Sequence, residues 1–212
     1  VHSPLTSHAM LLLRPLLLCF SLALALSSSA QVAVNPQVGM TLQALRDLGD
    51  GIDVDRRAGF FGGIDFRIGN RVYFQPGLFF MQGGTLTKPD TVVSGGDLLV
   101  YRNAAKVKTL IGADLIRKPL FRLRLNAGVS FDYHFSYTVK EGDTDLSIYR
   151  DNSFNFETGL GADIYRFTVE AGRSLGLSDA FDVKYYDRNL NELHPRYEYW
   201  YLTVGFRLGG GL

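Results

Sequence analysis

The chain has 212 residues, with 22 Lys and Arg against 21 Asp and Glu, one Cys, 23 Gly and 13% aromatic residues. Its length fits one domain, and its near-neutral charge excludes the basic surface that nucleic-acid binding requires. A single cysteine excludes both a disulfide framework and a Cys-based zinc site. The mean hydropathy of +0.03 is too polar for a bundle of membrane helices, whereas abundant Gly and aromatic residues are typical of a chain built from strands.

Residues 1–30 have the pattern of upstream residues followed by a secretory signal peptide. The expected start is Met10, Arg14 supplies the positive charge, and the apolar run from Leu16 to Leu26 is shorter than the ~20 residues of a spanning helix. Small residues end the segment at Ala30, so we expect cleavage after this residue. A buried core helix is the alternative interpretation, but the run has no polar face.

Apolar and polar side chains alternate with a period of two in several segments after residue 30, which predicts strands. The clearest example runs from Phe121 to Tyr133, where the odd positions are all apolar or aromatic and the even positions are Arg, Asn, Gly, Ser or Asp. This segment is longer than the roughly 5–6 residues usual for a soluble strand. It reaches the ~9–11 residues that a strand needs to cross a bilayer at a tilt.

Eight segments of this kind are predicted, joined alternately by short turns and by long polar connections. The strands are expected at Val38–Ala44, Ala58–Ile68, Val72–Gln82, Lys106–Ile116, Leu120–Tyr133, Ser153–Ile164, Phe167–Leu175 and Arg196–Leu208. An even number of strands with short turns at one end and long loops at the other is the layout of an outer-membrane barrel. We therefore predict an all-β fold over residues 31–212: an eight-stranded antiparallel up-and-down transmembrane β-barrel with short periplasmic turns and long extracellular loops.

Aromatic residues near the predicted strand ends fit the two interfacial girdles of such a barrel. The expected members are Tyr133, Phe135, Phe154, Tyr199, Trp200 and Tyr201 on the loop side, and Tyr73, Phe74, Phe121, Phe167 and Phe206 on the turn side. Aromatic residues also fill protein cores, so this pattern supports the barrel only together with the strand pattern.

Several local sequences resemble one known family. They are Val38-Gly39-Met40-Thr41, Gly59-Phe60-Phe61-Gly62-Gly63, Val72-Tyr73-Phe74-Gln75-Pro76-Gly77-Leu78, Leu125-Asn126-Ala127-Gly128 and Thr203-Val204-Gly205-Phe206-Arg207-Leu208. In strand rhythm and glycine placement the chain resembles the PorT-like, porin-family outer membrane beta-barrel proteins of Bacteroidetes. The resemblance covers roughly residues 38–208 and implies the same fold, without implying an activity. Members typically end on an aromatic residue, whereas this chain ends on Gly209-Gly210-Gly211-Leu212.

No catalytic residue, cofactor site or metal site is predicted. Both histidines after residue 30, His134 and His194, fall in expected outer loops. The run Asp132-Tyr133-His134 would suit an acid and base pair at the barrel rim, but no nucleophile matches it. We therefore interpret His134 as a solvated loop residue.

The informative charges lie on the strand face opposite the apolar one. If the apolar face meets lipid, the lumen receives six basic and six acidic residues: Asp65, Arg67, Lys106, Lys108, Asp114, Arg122, Arg124, Asp132, Glu157, Asp163, Glu170 and Arg207. An ion-selective channel is expected to show one dominant sign, whereas balanced signs in a narrow lumen favour a filled, ion-paired interior. This set is the predicted lumen charge network.

Three functions are compatible with this pattern. The favoured one is a non-enzymatic outer-membrane protein with a plugged lumen, whose barrel supports the envelope or whose loops bind a ligand. Its expected partners are outer-membrane lipid and the barrel-insertion machinery, with no nucleic acid and no cofactor. The second is a small-solute porin or transporter, and the third is a soluble periplasmic barrel of lipocalin type with an apolar cavity.

Overall fold

The computed structural model describes residues 31–46, 52–89, 98–141, 149–181, 185–186 and 192–209. The predicted signal segment lies outside these described residues. Within them, no helix is long and apolar enough to cross a membrane.

Eight long strands form the wall of the molecule: β1 (Gln31–Arg46), β2 (Ile52–Gly69), β3 (Val72–Pro89), β4 (Leu98–Lys118), β5 (Phe121–Glu141), β6 (Asn152–Ile164), β7 (Phe167–Gly176) and β10 (Arg196–Phe206). Between the last two, β8 (Tyr185–Tyr186) and β9 (Glu192–Leu193) pair as a short hairpin. β11 (Leu208–Gly209) follows β10 and also pairs with β1.

The eight strands close into a barrel. Each is antiparallel to its neighbour, and β10 pairs with β1 from Gln37 opposite Gly205 to Arg46 opposite Arg196. Closure leaves the long strands without a free edge, so the backbone groups of the wall bond within it. The predicted eight-stranded antiparallel fold is confirmed. In this ring β2 lies opposite β6, and β4 lies opposite β10.

Short connections mark one end of the barrel, called here the turn end, and the other end is the loop end. Gly69 begins one tight turn with a φ of 141°, a region that side chains rarely adopt. Tyr165 occupies the left-handed region, with a φ of 57°, in the two-residue turn between β6 and β7.

The predicted strand ends are wrong at the loop end, where the strands continue further. β3 runs to Pro89, beyond the expected Gln82, and β4 begins at Leu98, well before the expected Lys106. The loop predicted over 134–152 is strand as far as Glu141. The alternation of apolar and polar residues fades beyond the band of apolar residues that surrounds the barrel, called here the belt. Backbone pairing continues past the belt because the adjacent strand still supplies hydrogen-bond partners.

The two faces of the wall follow the predicted register. Leu125 and Val129 of β5 are 50% and 51% exposed on the outer surface, whereas Arg124 and Ser130 are buried inside. The alternative of a lipocalin-type cavity is wrong. That cavity would be lined by Leu123, Leu125, Val129, Leu160, Val169 and Leu202, but these residues lie on the outer face, where all except the half-buried Leu123 are exposed.

Three predicted girdle residues do not face outward. Tyr73, Tyr199 and Tyr201 are buried inside the barrel. Tyr201 stacks near Phe61, which stacks in turn on Phe79 with ring centroids 4.6 Å apart. The interior therefore combines an aromatic cluster with charged residues, since the large rings fill space that ion pairs alone would leave empty.

Candidate functional site in the barrel interior

Strand alternation brings most of the predicted lumen charge network together inside the barrel. Ten of the twelve residues are buried, and the other two, Asp114 and Arg122, are half-buried at the turn end. Successive inward positions on one strand lie at successive depths along the barrel axis. The described interior therefore divides into three groups of contacts, named here the turn-end network, the lysine cluster and the loop-end layer.

The turn-end network consists of Asp65, Arg67, Arg124, Asp163 and Glu170. Arg67 Nη1 of β2 donates to Asp163 Oδ2 of β6 at 2.8 Å, which joins opposite walls of the barrel. Arg124 donates to Asp163 Oδ1 at 3.2 Å through Nε and to Glu170 Oε2 at 2.6 Å through Nη1. Each carboxylate of this network is therefore within ion-pair distance of at least one guanidinium.

Neutral polar side chains also donate hydrogen bonds to these carboxylates. Thr168 Oγ1 donates to Asp163 Oδ1 at 2.6 Å, and Asn126 Nδ2 donates to Glu170 Oε2 at 3.1 Å. Gln75 Nε2 donates to Asp65 Oδ2 at 2.9 Å, and Gln37 Nε2 donates to the same oxygen. Buried charges need such partners because the wall excludes bulk water.

The lysine cluster lies above this network and contains Lys106, Lys108, Ser130, Asp132 and Glu157. Lys106 Nζ lies 2.5 Å from Asp132 Oδ1 and 2.7 Å from Glu157 Oε1, and it donates to Ser130 Oγ at 2.6 Å. Lys108 Nζ lies 3.6 Å from Glu157 Oε2 and 3.8 Å from Glu170 Oε1. Through Lys108 the cluster connects electrostatically to the turn-end network.

Lys108 also contacts the aromatic cluster. Its Nζ lies 4.8 Å from the ring centroids of both Phe79 and Tyr201, and 5.5 Å from that of Phe61. These distances are in the range of cation–π attraction, which is strongest where water is excluded. The ammonium is thus held by two long ion pairs and three ring faces.

The loop-end layer consists of Gln43, Arg102, His134, Tyr137 and Tyr197. The Arg102 guanidinium of β4 stacks 3.4 Å from the ring centroid of Tyr197 on the opposite strand β10, and its Nη2 donates to Gln43 Oε1 at 3.0 Å. His134 and Tyr137 come from β5, and the His134 ring lies 5.5 Å from that of Tyr197. The interpretation of His134 as a solvated loop residue is wrong, since it is a buried residue of a strand that continues past the predicted end.

The predicted lumen charge network omits Arg102, although the sequence spacing could have identified it. Arg102 is separated from Lys106 and Lys108 by an even number of positions, so it faces the same side of β4, but the sequence pattern predicts a loop before Lys106. Glu198 is also buried and is not in the predicted network. It lies two residues before the exposed Trp200 on β10, so it faces the outside of the barrel. There it forms ion pairs with Arg46 at 3.3 Å and Arg173 at 2.8 Å.

Two small cavities lie inside the described barrel. A cavity of about 30 Å³ at the turn end is lined by Asp114, Arg122 and Arg207 together with Arg67 and Arg124. Another, of about 10 Å³, adjoins Arg102 in the loop-end layer. The first can hold a few water molecules and the second about one. Among the described residues no group of His, Cys, Asp or Glu side chains is arranged to hold a metal ion.

Ion pairs outside the barrel wall are of a different kind. In the connection after β7, the Asp179 carboxylate lies 3.1 Å from His194 Nδ1 and 3.5 Å from Arg196 Nε. Partial burial raises the pKa of Asp179, but the hydrogen bond and charge of His194 and the contact with Arg196 lower it more, so its pKa lies below the usual value.

A closed eight-stranded barrel with an apolar exterior and a polar interior defines a class, the membrane-spanning β-barrel proteins. Comparison with known families identifies the group within this class. Residues 26–182 match the family described as outer membrane protein beta-barrel domain, and the chain belongs to this family. It is therefore an outer-membrane β-barrel protein.

Several solved structures are similar to this chain. The outer membrane protein OprG from Pseudomonas aeruginosa has a TM-score of 0.54 at 11% identity, covering 86% of this chain and 97% of that one. The attachment invasion locus protein Ail of Yersinia pestis has a TM-score of 0.44 at 14% identity, covering 83% and 98%. Neisserial surface protein A has a TM-score of 0.43 at 13% identity, covering 82% and 96%. No curated protein matches this chain significantly in sequence.

Proposed function

We propose that this chain is a non-catalytic integral outer-membrane protein whose lumen is plugged, and that it acts by supporting the envelope or through its loops. One observation carries the proposal: side chains from opposite walls touch each other near both ends of the interior. Arg67 of β2 meets Asp163 of β6 at the turn end, and Arg102 of β4 meets Tyr197 of β10 at the loop end. Between these levels, Lys106 and Lys108 reach Glu157 on β6.

The small cavities support the same conclusion. An eight-stranded barrel is just wide enough for its inward side chains, and here they are long and paired. A conducting pore needs a continuous file of water, whereas the cavities at the two ends of the described interior are separate and hold only about 30 and 10 Å³. Ion-paired contacts at several depths would each have to open before a solute could pass.

Recordings from purified protein in planar bilayers test this proposal. The wild-type protein should give no reproducible conductance steps, and Arg124→Ala should stay closed as well, because removal of one side chain leaves the lysine cluster and the loop-end layer in place. Insertion is verified on the same sample by the shifted gel mobility of unheated protein. Large, ion-selective currents from the inserted wild type would establish the porin function instead.

We further propose that residues 31–212 are the mature domain, exported after cleavage behind Ala30 and assembled by the barrel-insertion machinery. The sequence pattern of the first thirty residues supports export, and the family supports the outer membrane as destination. The PorT-like type within the family stays a prediction. N-terminal sequencing of protein from outer-membrane fractions should begin at Gln31. An intact Met10 on soluble protein would contradict the proposal.

The structural role and the loop-mediated role predict different results in cells. In a deletion strain, the full chain is compared with a variant in which residues 142–148 and 187–191 are replaced by short Gly-Ser segments. If the barrel itself supports the envelope, both should restore resistance to detergent. If the loops bind a ligand, only the full chain should do so, while the two proteins reach equal levels in the outer membrane.

A further inference from the structure

Arg102 is a buried cation of the described interior that has only neutral partners. Its side chain is 4% exposed, and its Nε and Nη1 atoms are buried without a hydrogen-bond partner. Its contacts are the stacked ring of Tyr197 and the hydrogen bond from Nη2 to Gln43. Both partners are neutral, so they satisfy part of the guanidinium surface without cancelling its charge.

The nearby carboxylates form ion pairs with cations other than Arg102. Asp132 lies 2.5 Å from Lys106 Nζ and also accepts a hydrogen bond from Asn155 at 3.0 Å. Glu198 points to the outer face, between Arg46 and Arg173. Within the described parts of the chain, no carboxylate forms an ion pair with Arg102.

Among the residues that the structure describes, the buried charges inside the barrel sum to one positive charge in excess. The inward buried cations are Arg67, Arg102, Lys106, Lys108, Arg124 and Arg207, and the inward buried acids are Asp65, Asp132, Glu157, Asp163 and Glu170. The turn end, with Arg207 included, holds three of these cations and three of these acids, and the lysine cluster holds two of each. The excess therefore lies at the loop end, where Arg102 is the buried cation.

A cavity adjoins this charge. It has a volume of about 10 Å³ and is lined by Arg102, Tyr137, Tyr149 and Tyr197, with Thr85, Leu45 and Val100. This volume corresponds to about one water-sized particle. A polyatomic anion such as phosphate or sulfate far exceeds it, whereas a monatomic anion needs only slightly more room than one water molecule. Water could accept the free N–H groups, but it would leave the charge uncompensated.

We propose that the cavity beside Arg102 is a halide site, occupied by one chloride ion that neutralises the guanidinium at the loop end of the lumen. The tyrosine side chains screen the ion from bulk water, and the negative charge of the ion neutralises the excess positive charge of Arg102. Chloride thereby becomes a structural component of the loop-end layer.

The first test measures urea unfolding of the folded protein while chloride replaces gluconate at constant ionic strength. A ligand that binds only the folded state raises the ratio of folded to unfolded protein about tenfold for each tenfold rise in its concentration above Kd. The wild type should follow this slope. Arg102→Met should lose it, whereas Arg46→Met, which removes an exposed cation from the same end, should keep it. A flat response of the wild type overturns the proposal.

The second test needs no variant and decides the matter if Arg102→Met does not fold. Crystals of the wild type grown in sodium bromide should show one anomalous peak in contact with the Arg102 guanidinium. Electron density for water at this position, without an anomalous signal, overturns the proposal. A bromide peak at exposed arginines alone does the same.

Discussion

The inner and outer faces of the barrel wall are built from alternate residues of the same strands, yet they obey opposite rules. On β5, Val129 faces outward and is half exposed, while Arg124 faces inward and is held between two carboxylates. Where the outer face meets lipid tails, it needs no hydrogen-bond partners, because its side chains there are apolar. In the turn-end network and the lysine cluster the inner face tolerates charges because each has an ion-pair partner, so its stability depends on complete networks.

The largest loss of stability should follow from removing one residue of the ion-pair networks inside the barrel. Arg124→Ala removes the partner shared by Asp163 and Glu170 and leaves both carboxylates under-compensated in a confined space. We expect a loss of about 3–5 kcal/mol in the free energy of unfolding. Urea titration in lipid vesicles, followed by the fluorescence of the single tryptophan, Trp200, measures it.

The matched control for that variant is Arg71→Ala, which removes an exposed arginine at the turn end. It should change the free energy of unfolding by no more than about 0.5 kcal/mol. Equal losses for the two variants would mean that the inner ion pairs do not stabilise the barrel.

A charge introduced on the outer face should lower the free energy of unfolding somewhat less than Arg124→Ala does. Val129 lies near the middle of β5, opposite Thr109 on β4 and Phe156 on β6. Val129→Arg places a guanidinium in hydrocarbon and should destabilise the barrel by about 2–4 kcal/mol if this position is at the bilayer midplane. Val129→Leu is the control and should be nearly neutral in the same vesicle assay. Equal stability of the Arg and Leu variants would refute the lipid-facing register.

Packing inside the barrel gives a smaller effect that involves no charge. A Cβ atom at Gly172 would lie 2.3 Å from Tyr201 Cζ and 2.5 Å from the Thr158 carbonyl oxygen, so the backbone there has room only for glycine. Gly172→Ala should cost about 1–3 kcal/mol through overpacking. The neighbouring outward residue supplies the control: Ala171→Val should stay within about 0.5 kcal/mol of the wild type. Thermal unfolding in detergent compares the two, and an unaffected Gly172→Ala would mean that Tyr201 is free to move.

The fold could be predicted from the sequence because lipid imposes a strict alternation on the belt of the barrel. In β5 this alternation alone assigns Val129 to the outside and Arg124 to the inside. The strand ends could not be predicted in the same way, because beyond the belt the outer residues no longer have to be apolar. Backbone pairing continues there without a hydrophobic signal, so the sequence pattern predicts loops at Arg102 and His134 where the structure has strands.

The aromatic residues show a second limit of sequence reasoning. Trp200 and Tyr201 are adjacent, yet one is exposed outside and the other buried inside. Both types of residue are common at membrane interfaces, so residue type alone favours the outer girdle for each. Their direction depends on strand parity, and the space that Tyr201 fills depends on glycines of other strands, such as Gly159 and Gly172. Pairing across the lumen is a tertiary property that a single strand does not encode.

The smallest effect should come from an ion pair that stands in water rather than within the wall. The Asp179 carboxylate is only partly buried beside His194 and Arg196, and its pKa is lowered in the folded protein. A carboxyl group whose pKa is lower in the folded than in the unfolded state stabilises the fold above the unfolded pKa of about 3.9, and this contribution is lost as the pH falls through the folded value. Asp179→Asn should therefore cost roughly 0.2–1 kcal/mol near neutral pH, because water and salt screen the pair.

The pH and salt dependence separates this pair from the inner networks. The stability difference between wild type and Asp179→Asn should shrink below about pH 4, and it should also shrink in about 1 M salt, where the Debye length is about 3 Å. Arg124→Ala should keep most of its cost in the same salt, because mobile ions do not enter the paired lumen. Urea titrations of both variants at low and high salt measure this contrast. If salt reduced the two costs equally, the interior of the barrel would be as accessible to ions as the loop, and the distinction between the wall's inner face and the surrounding water would fail.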